Sequence, residues 1–346
     1  MEEINVLVTM PFPPELIGKL ADVSPRLKVV QHEARSSEDL PQEQIDAVDV
    51  IYTQSALPNP ELAPKLQWVQ LHSAGINHIV DSRLYTNSDV TITTASGIHS
   101  VNMAEYVLAQ MLALGHHIPK MIEDKEQKHW PRKLDDQPSE SRWERYVPQE
   151  LRDRTLGVVG YGSVGREIAR LAQAFGMQIL AIKRDLRNLE DMSFRLEGTG
   201  DPKADIPERI YPVAALHSFL AECDVVVLTT PLTSETTNLI DAQALNAMRN
   251  DALLINVSRG GIIAEPDLVN ALQEGEIGGA ALDVFQEEPL PDTSPLWELP
   301  NVILSPHVSG FTPHYDDRAT DLFAENLRRF IVGEDLINVV DRKRGY

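Results

Sequence analysis

Arg259, Glu288 and His307 follow one another late in a chain of 346 residues. Their side-chain types suit chemistry on a 2-keto or 2-hydroxy acid. A planar guanidinium pairs with a carboxylate and polarises a carbonyl beside it. An imidazole gives or takes one proton, and a neighbouring carboxylate keeps that ring charged and oriented. Acid–base assistance of this kind is worth about 10² to 10⁴ in rate. The complementary hydride needs a carrier. An upstream glycine turn, Gly160-Tyr161-Gly162-Ser163-Val164-Gly165, suggests a dinucleotide.

The turn is informative because of its setting. It follows the apolar run Leu156-Gly157-Val158-Val159 and opens a helical pattern with Ile168, Leu171 and Ala172 on one face. Strand, turn and helix in that order are what a dinucleotide site requires. Gly160 makes the tight turn, Gly162 lets backbone approach a pyrophosphate, and Gly165 lets helix and strand pack closely. The helix N-terminus stabilises the diphosphate charge. After the next strand, Lys183 and Arg184 stand where an NAD site places an acidic residue. Two cations favour a 2′-phosphate, so NADP(H) is the expected cofactor, with NAD(H) as the alternative if Asp185 takes that place.

Short β-branched runs alternate with helical patterns throughout. In the first part they lie at residues 6–8, 27–30, 48–51, 66–71 and 90–93; in the second at 155–159, 179–182, 225–228, 253–256, 280–284 and 302–304. This alternation predicts an α/β fold: two Rossmann-like or flavodoxin-like domains with parallel sheets and the active site in the interdomain cleft. An apolar helix is expected over 102–118, with Asn102 and Glu105 forming its capping box. Residues 119–150 read as a polar connection carrying Trp130 and Trp143, and residues 185–210 as an inserted surface excursion. The final helix, near 316–331, and the run Asn338-Val339-Val340 are too little for a domain and should return to the first. The expected division is 1–101 with 312–346 for the substrate-binding domain, and 102–311 for the dinucleotide-binding domain.

Bulk properties narrow the partners. The chain is 42% hydrophobic and 24% charged, with a formal net charge of −21. So acidic a surface repels phosphate backbones and anionic membranes, so neither nucleic acid nor membrane is an expected partner. No apolar run reaches the roughly 18 residues of a membrane span. The N-terminus shows no signal-peptide pattern, and the cytoplasm is the expected compartment. Cys223, the only cysteine, allows no intrachain disulfide and reads as a buried, inert thiol. The histidines and carboxylates lack the spacing of a metal cluster.

Five segments, in order, resemble the D-isomer-specific 2-hydroxyacid dehydrogenases over nearly the whole chain: residues 155–165 (TLGVVGYGSVG), 225–233 (VVVLTTPLT), 253–262 (LLINVSRGGI), 279–289 (GAALDVFQEEP) and 305–310 (SPHVSG). The resemblance implies that Arg259, Glu288 and His307 are the catalytic trio. It places Asp283 and Gly310 near the nicotinamide carboxamide, and Thr230, Pro231 and Thr237 along the adenosine end. Val257, Ser258 and His307 join the expected cofactor contacts. Ser73, Ala74 and Gly75 match the loop whose amides hold the substrate carboxylate. Glu288, where formate-oxidising relatives carry Gln, disfavours formate. Ser73, where phosphoglycerate enzymes usually carry a basic residue, disfavours phosphoglycerate. Lys183-Arg184 is similar to the glyoxylate/hydroxypyruvate reductase branch. A homodimer is expected, with the 102–118 helix, Trp130 and Trp143 as candidate interface. Two other readings stay open: an NAD-dependent dehydrogenase of larger 2-hydroxy acids, and a dinucleotide-sensing protein similar to the C-terminal-binding corepressors.

Overall fold

The β-branched runs pair into two wholly parallel sheets in the computed structural model, which describes residues 3–130 and 141–345. Parallel strands need crossovers, and the helical stretches between the runs supply them. The chain divides into two compact units: Met1–His99 with Met192–Leu196 and Thr312–Tyr346, and Ser100–Asp191 with Glu197–Phe311.

In the first unit, β1 (Ile4–Val8), β2 (Leu27–Gln31), β3 (Val50–Thr53), β4 (Trp68–Leu71) and β5 (Thr91–Thr93) lie in the order β2-β1-β3-β4-β5. That is the flavodoxin-like order. β3 and β4 are buried at every residue, as central parallel strands must be. The C-terminal helix Tyr315–Val332 covers one face, with Leu322, Phe323 and Leu327 packed among Tyr52 and Trp68. Each such side chain contributes about 1.5–3 kcal/mol on full burial. Beyond this helix, Val339 bridges Thr93 antiparallel.

In the second unit, β6 (Thr155–Val159), β7 (Gln178–Ile182), β8 (Arg209–Tyr211), β9 (Val225–Leu228), β10 (Leu253–Asn256), β11 (Gly279–Leu282) and β12 (Val302–Leu304) run β12-β11-β10-β9-β6-β7-β8. The strand order reverses between β6 and β9. This is the topological switch point beyond which α/β sheets bind ligands. Cys223 is buried here, its thiol donating to the Phe219 carbonyl at 3.1 Å, and burial pushes its pKa up.

Several expectations change. The apolar helix runs Ser100–Gly115 and stops before a left-handed His117; a second helix, Ile118–Glu126, follows. Asn102 does not cap: it lies inside the helix and donates to the carbonyls of Ser309 (2.9 Å) and Phe311 (3.3 Å). The helix buries Ala104, Val107, Leu108 and Met111 in the core of its own unit. The stretch 119–150 holds a further helix, Arg142–Tyr146; its residues 131–140 lie outside the described residues. The 185–210 excursion ends in a strand, β8, which short length and flanking charges conceal in the sequence. Its residues 192–196, expected with the dinucleotide domain, cluster with the first unit.

The excursion is also tied down. Arg166 and Glu167, both almost fully buried on the helix Ser163–Ala174, reach into it. Arg166 donates to the carbonyls of Asp201 and of Leu189, the latter at 2.5 Å. Glu167 accepts from the Gly200 amide at 2.6 Å. Buried charges survive only with such partners. Among the described residues no helix is long and apolar enough to cross a membrane.

Candidate active site

β10, β11 and β12 are neighbours, and the loops after their carboxyl ends carry Arg259, Asp283, Glu288 and His307. Adjacent parallel strands thus gather residues widely spaced in sequence at one edge of one sheet. The His307 Nδ1 lies 2.8 Å from Glu288 Oε2. A carboxylate only accepts, so Nδ1 carries the hydrogen in that contact. Glu288 is itself held, its other oxygen accepting from the Phe285 amide at 3.1 Å. The opposite ring nitrogen, Nε2, has no partner among the described residues. Both side chains are partly exposed, 47% for His307 and 37% for Glu288.

His307 has a φ of 54°, in the left-handed region. Non-glycine residues are held there only when their surroundings over-determine the backbone. Here Asp283 does so. Its fully buried carboxylate accepts from Ser305 Oγ (2.6 Å), the Val308 amide (2.8 Å) and the Ser309 amide (2.9 Å), and its carbonyl accepts from the His307 amide (2.9 Å). The carboxylate expected near the carboxamide is thus engaged in shaping the loop that presents the imidazole. Tyr106 adds a contact to Ser305 Oγ at 2.5 Å.

Arg259 sits on a turn organised by Asn256, the fully buried last residue of β10. The Asn256 side chain accepts from the Ser258 amide (3.0 Å) and hydroxyl (2.6 Å) and donates to the Arg259 carbonyl (3.0 Å). Val257 is buried, and Ser258 spends its hydroxyl on this turn. Burial lowers the Arg259 pKa from its usual value, and the Glu288 carboxylate opposes that shift. One guanidinium nitrogen donates to the Ser258 carbonyl at 2.7 Å.

The glycine turn lies at the switch point. Gly160 has a φ of 99°, and a Cβ there would meet the Thr230 backbone at 2.8 Å. Thr229 Oγ1 donates to the Gly160 carbonyl at 2.6 Å, tying the turn to the end of β9. Gly162 differs: its φ of −95° suits any residue, and nothing stands within 4 Å of an added Cβ. The chain itself gives no reason for glycine there. The open space, at the N-terminus of a helix that begins with Ser163, Val164 and Gly165, fits a diphosphate. A Cβ on Gly165 would strike the Gly160 carbonyl at 2.5 Å, so its absence serves helix–strand packing. Tyr161 is 2% exposed and donates to Asp201 Oδ2 at 2.6 Å, leaving only its backbone to a cofactor.

The three cations beyond β7 are not equivalent. Arg184 pairs with Glu235 at 3.2 Å, and Arg187 with Asp185 at 3.1 Å. Lys183 makes no ion pair among the described residues. Burial lowers its pKa, nearby Arg166 adds to that, and Asp191 and Asp185 oppose it. Thr230 and exposed Pro231 follow β9, with Thr237 bonded to the Thr233 carbonyl at 2.9 Å. Gly310 is half-buried at the far end of the His307 loop.

In the first unit, Ser73, Ala74 and Gly75 follow the carboxyl end of β4. The Ser73 carbonyl accepts from the Ala95 amide at 2.9 Å, and the Gly75 carbonyl from Ser73 Oγ at 2.8 Å. The three amides make no hydrogen bond among the described residues. Successive free N–H groups of this kind attract anions.

Asn256, Tyr106, Ser305, Arg166 and Glu167 were not singled out in the sequence. Asn256 left a signal, because an Asn closing a strand before a turn commonly bonds its own backbone two residues on. The others become legible only through their partners.

Comparison with known proteins agrees with this arrangement. Residues 108–309 match the family model "D-isomer specific 2-hydroxyacid dehydrogenase, NAD binding domain". The chain is 31% identical over 351 residues to a glyoxylate reductase of Korarchaeum cryptofilum, covering 98% of this chain and 96% of that one. It is 30% identical over 342 residues to a D-3-phosphoglycerate dehydrogenase of Methanocaldococcus jannaschii, of which it spans 59%. Among solved structures, a D-isomer specific 2-hydroxyacid dehydrogenase from Xanthobacter autotrophicus Py2, in complex with NADPH and MES, superposes with a TM-score of 0.76. That protein is 28% identical, and both chains are fully covered. A family model spanning more than half the chain, with relatives matching nearly end to end, identifies the chain as a member of the D-isomer specific 2-hydroxyacid dehydrogenase family.

Proposed function

We propose that this enzyme reduces small 2-keto acids of glyoxylate or hydroxypyruvate size, with NADPH as the preferred cofactor. The observation that carries this reading is the His307–Glu288 pair, with a free imidazole nitrogen at the sheet edge that also carries Arg259. Bound at the glycine turn, the cofactor supplies a hydride to the keto carbon, or accepts one in the reverse direction. His307 Nε2 gives its proton to the keto oxygen, and the resulting hydroxyl completes the 2-hydroxy acid. Glu288 stabilises the imidazolium before transfer and fixes the ring. Arg259 holds the substrate carboxylate and polarises the carbonyl. In the first unit, the amides of Ser73, Ala74 and Gly75 are read as a cradle for a carboxylate.

NADPH is favoured because Lys183 replaces an acidic residue and makes no ion pair among the described residues. Asp185, the residue on which an NAD reading depends, is occupied by Arg187. The test is kcat/KM for both cofactors with a panel of 2-keto acids. NADPH should be preferred by at least about tenfold, the value of one charge-assisted hydrogen bond. Lys183→Ala should raise KM for NADPH about tenfold and leave KM for NADH unchanged. A clear preference for NADH would overturn the cofactor assignment, and failure of every small keto acid would overturn the substrate assignment.

A homodimer is also proposed, through a surface that continues from the long apolar helix. Ile118, Met121, Ile122, Trp130, Trp143 and Val147 are all exposed large hydrophobics, grouped in and around the two helices that follow it. Such clustering marks association surfaces. Sedimentation should give twice the 38.6 kDa chain mass. Ile122→Glu with Trp143→Glu should shift the protein to monomer; a wild-type monomer would remove the proposal.

A further inference from the structure

The loop bearing the free amides begins at His72, the first residue past β4, and His72 is held from several sides. Its amide donates to the Thr53 carbonyl at 2.8 Å, and its carbonyl accepts from Tyr315 Oη at 2.9 Å. Its Nδ1 lies 2.7 Å from Tyr52 Oη, and its Nε2 lies 3.6 Å from Asp316 Oδ1. The ring is packed by Phe12, Tyr52 and Tyr315, with centroids 5.8, 5.7 and 4.6 Å away.

These contacts select one tautomer. Tyr52 is wholly buried, and among the described residues the His72 contact is the one hydrogen bond of its hydroxyl. A buried hydroxyl proton needs an acceptor, so Tyr52 donates to Nδ1 and the ring hydrogen sits on Nε2, toward Asp316. Burial, and secondarily the charge of His99, lowers the His72 pKa to about 4, which keeps the imidazole neutral and Nδ1 able to accept. Tyr315 and Asp316 open the C-terminal helix, so both its contacts with His72 come from one rigid element.

We propose that Tyr52, His72 and Tyr315 form a positioning network that sets the Ser73–Gly75 amides for the substrate carboxylate. The proposal rests on the reading of those amides as a carboxylate cradle. Tyr52 is too deeply buried to touch a ligand; it acts through His72. Oriented donors lose most of their value when displaced by about 1 Å, so releasing one end of the loop's first residue weakens carboxylate binding selectively.

The experiment uses the full chain. Tyr52→Phe and Tyr315→Phe each delete one hydroxyl and keep the ring. KM for glyoxylate, KM for NADPH, kcat, and the dissociation constant of oxalate from the NADPH complex are measured together with the thermal midpoint. Each variant should raise the glyoxylate KM and the oxalate dissociation constant about 5- to 10-fold, with KM for NADPH and kcat within about twofold, the loss expected for one misplaced hydrogen bond. If Tyr52→Phe fails to fold, Tyr315→Phe carries the same readout. Ala74→Pro removes one cradle amide and separates the two claims. If Ala74→Pro leaves oxalate binding unchanged, the cradle reading fails. If Ala74→Pro weakens oxalate while both Phe variants bind it normally, the positioning network is overturned. A fall in kcat and both affinities alike, with a lowered midpoint, would show a merely structural role and overturn it equally.

Discussion

Replacing His307 with asparagine is expected to lower kcat for keto-acid reduction by about 10²- to 10⁴-fold, the usual worth of positioned acid–base assistance. NADPH affinity, followed by fluorescence titration, should stay within about twofold, because the glycine turn is not disturbed. Asparagine is chosen for its backbone. His307 has a φ of 54°, and Asn is the non-glycine side chain that tolerates this left-handed conformation best. The Asp283 carboxylate can then continue to hold the Val308 and Ser309 amides, so the loop keeps its shape. What is removed is the free Nε2 and the Nδ1 contact to Glu288 at 2.8 Å. A variant retaining more than about a tenth of wild-type kcat would take His307 out of the proton transfer.

Arg259→Lys should reduce kcat/KM by about 10²-fold, roughly 2.7 kcal/mol of transition-state stabilisation. The charge is retained, so the loss isolates the planar fork, which pairs two-point with a carboxylate while a lysine offers a single centre. The turn beneath should survive. It is held by the Asn256 side chain, which bonds the Arg259 carbonyl at 3.0 Å rather than the guanidinium. An unchanged thermal midpoint would confirm that the turn persists. If kcat/KM stayed within about threefold of wild type, a two-point contact would be excluded.

Much of the molecule was legible before folding. β9 and β10 have the bounds read from their β-branched runs, because a buried parallel strand writes itself as a continuous apolar stretch. The glycine turn was legible for a similar reason: strand, turn and helix are contiguous, and Gly160 and Gly165 answer to contacts within that unit or its neighbouring strand. Arg259, Glu288 and His307 were legible as chemistry from type and order, and the repeating parallel topology then brings the ends of their strands to one edge.

Other features were decided only in three dimensions, and they share a physical cause: their partners are far apart in sequence. Asp283 is an acid in a motif until Ser305, Val308 and Ser309, more than twenty residues on, occupy its oxygens. Asn102 offers a helix cap by local pattern, but the Ser309 and Phe311 carbonyls take its amide instead. Arg184 counts as a cation for the cofactor until Glu235 pairs with it, whereas Lys183 makes no ion pair among the described residues. The excursion reads as loose charge until the buried Arg166 and Glu167 bind its backbone. The sequence by itself therefore determined the two parallel sheets, the turn and which side chains are the candidates for the chemistry, because those follow from local periodicity, spacing and side-chain type. The tertiary structure alone decided which polar groups are spent on one another, because a hydrogen-bond partner tens to hundreds of residues away leaves no mark on local pattern.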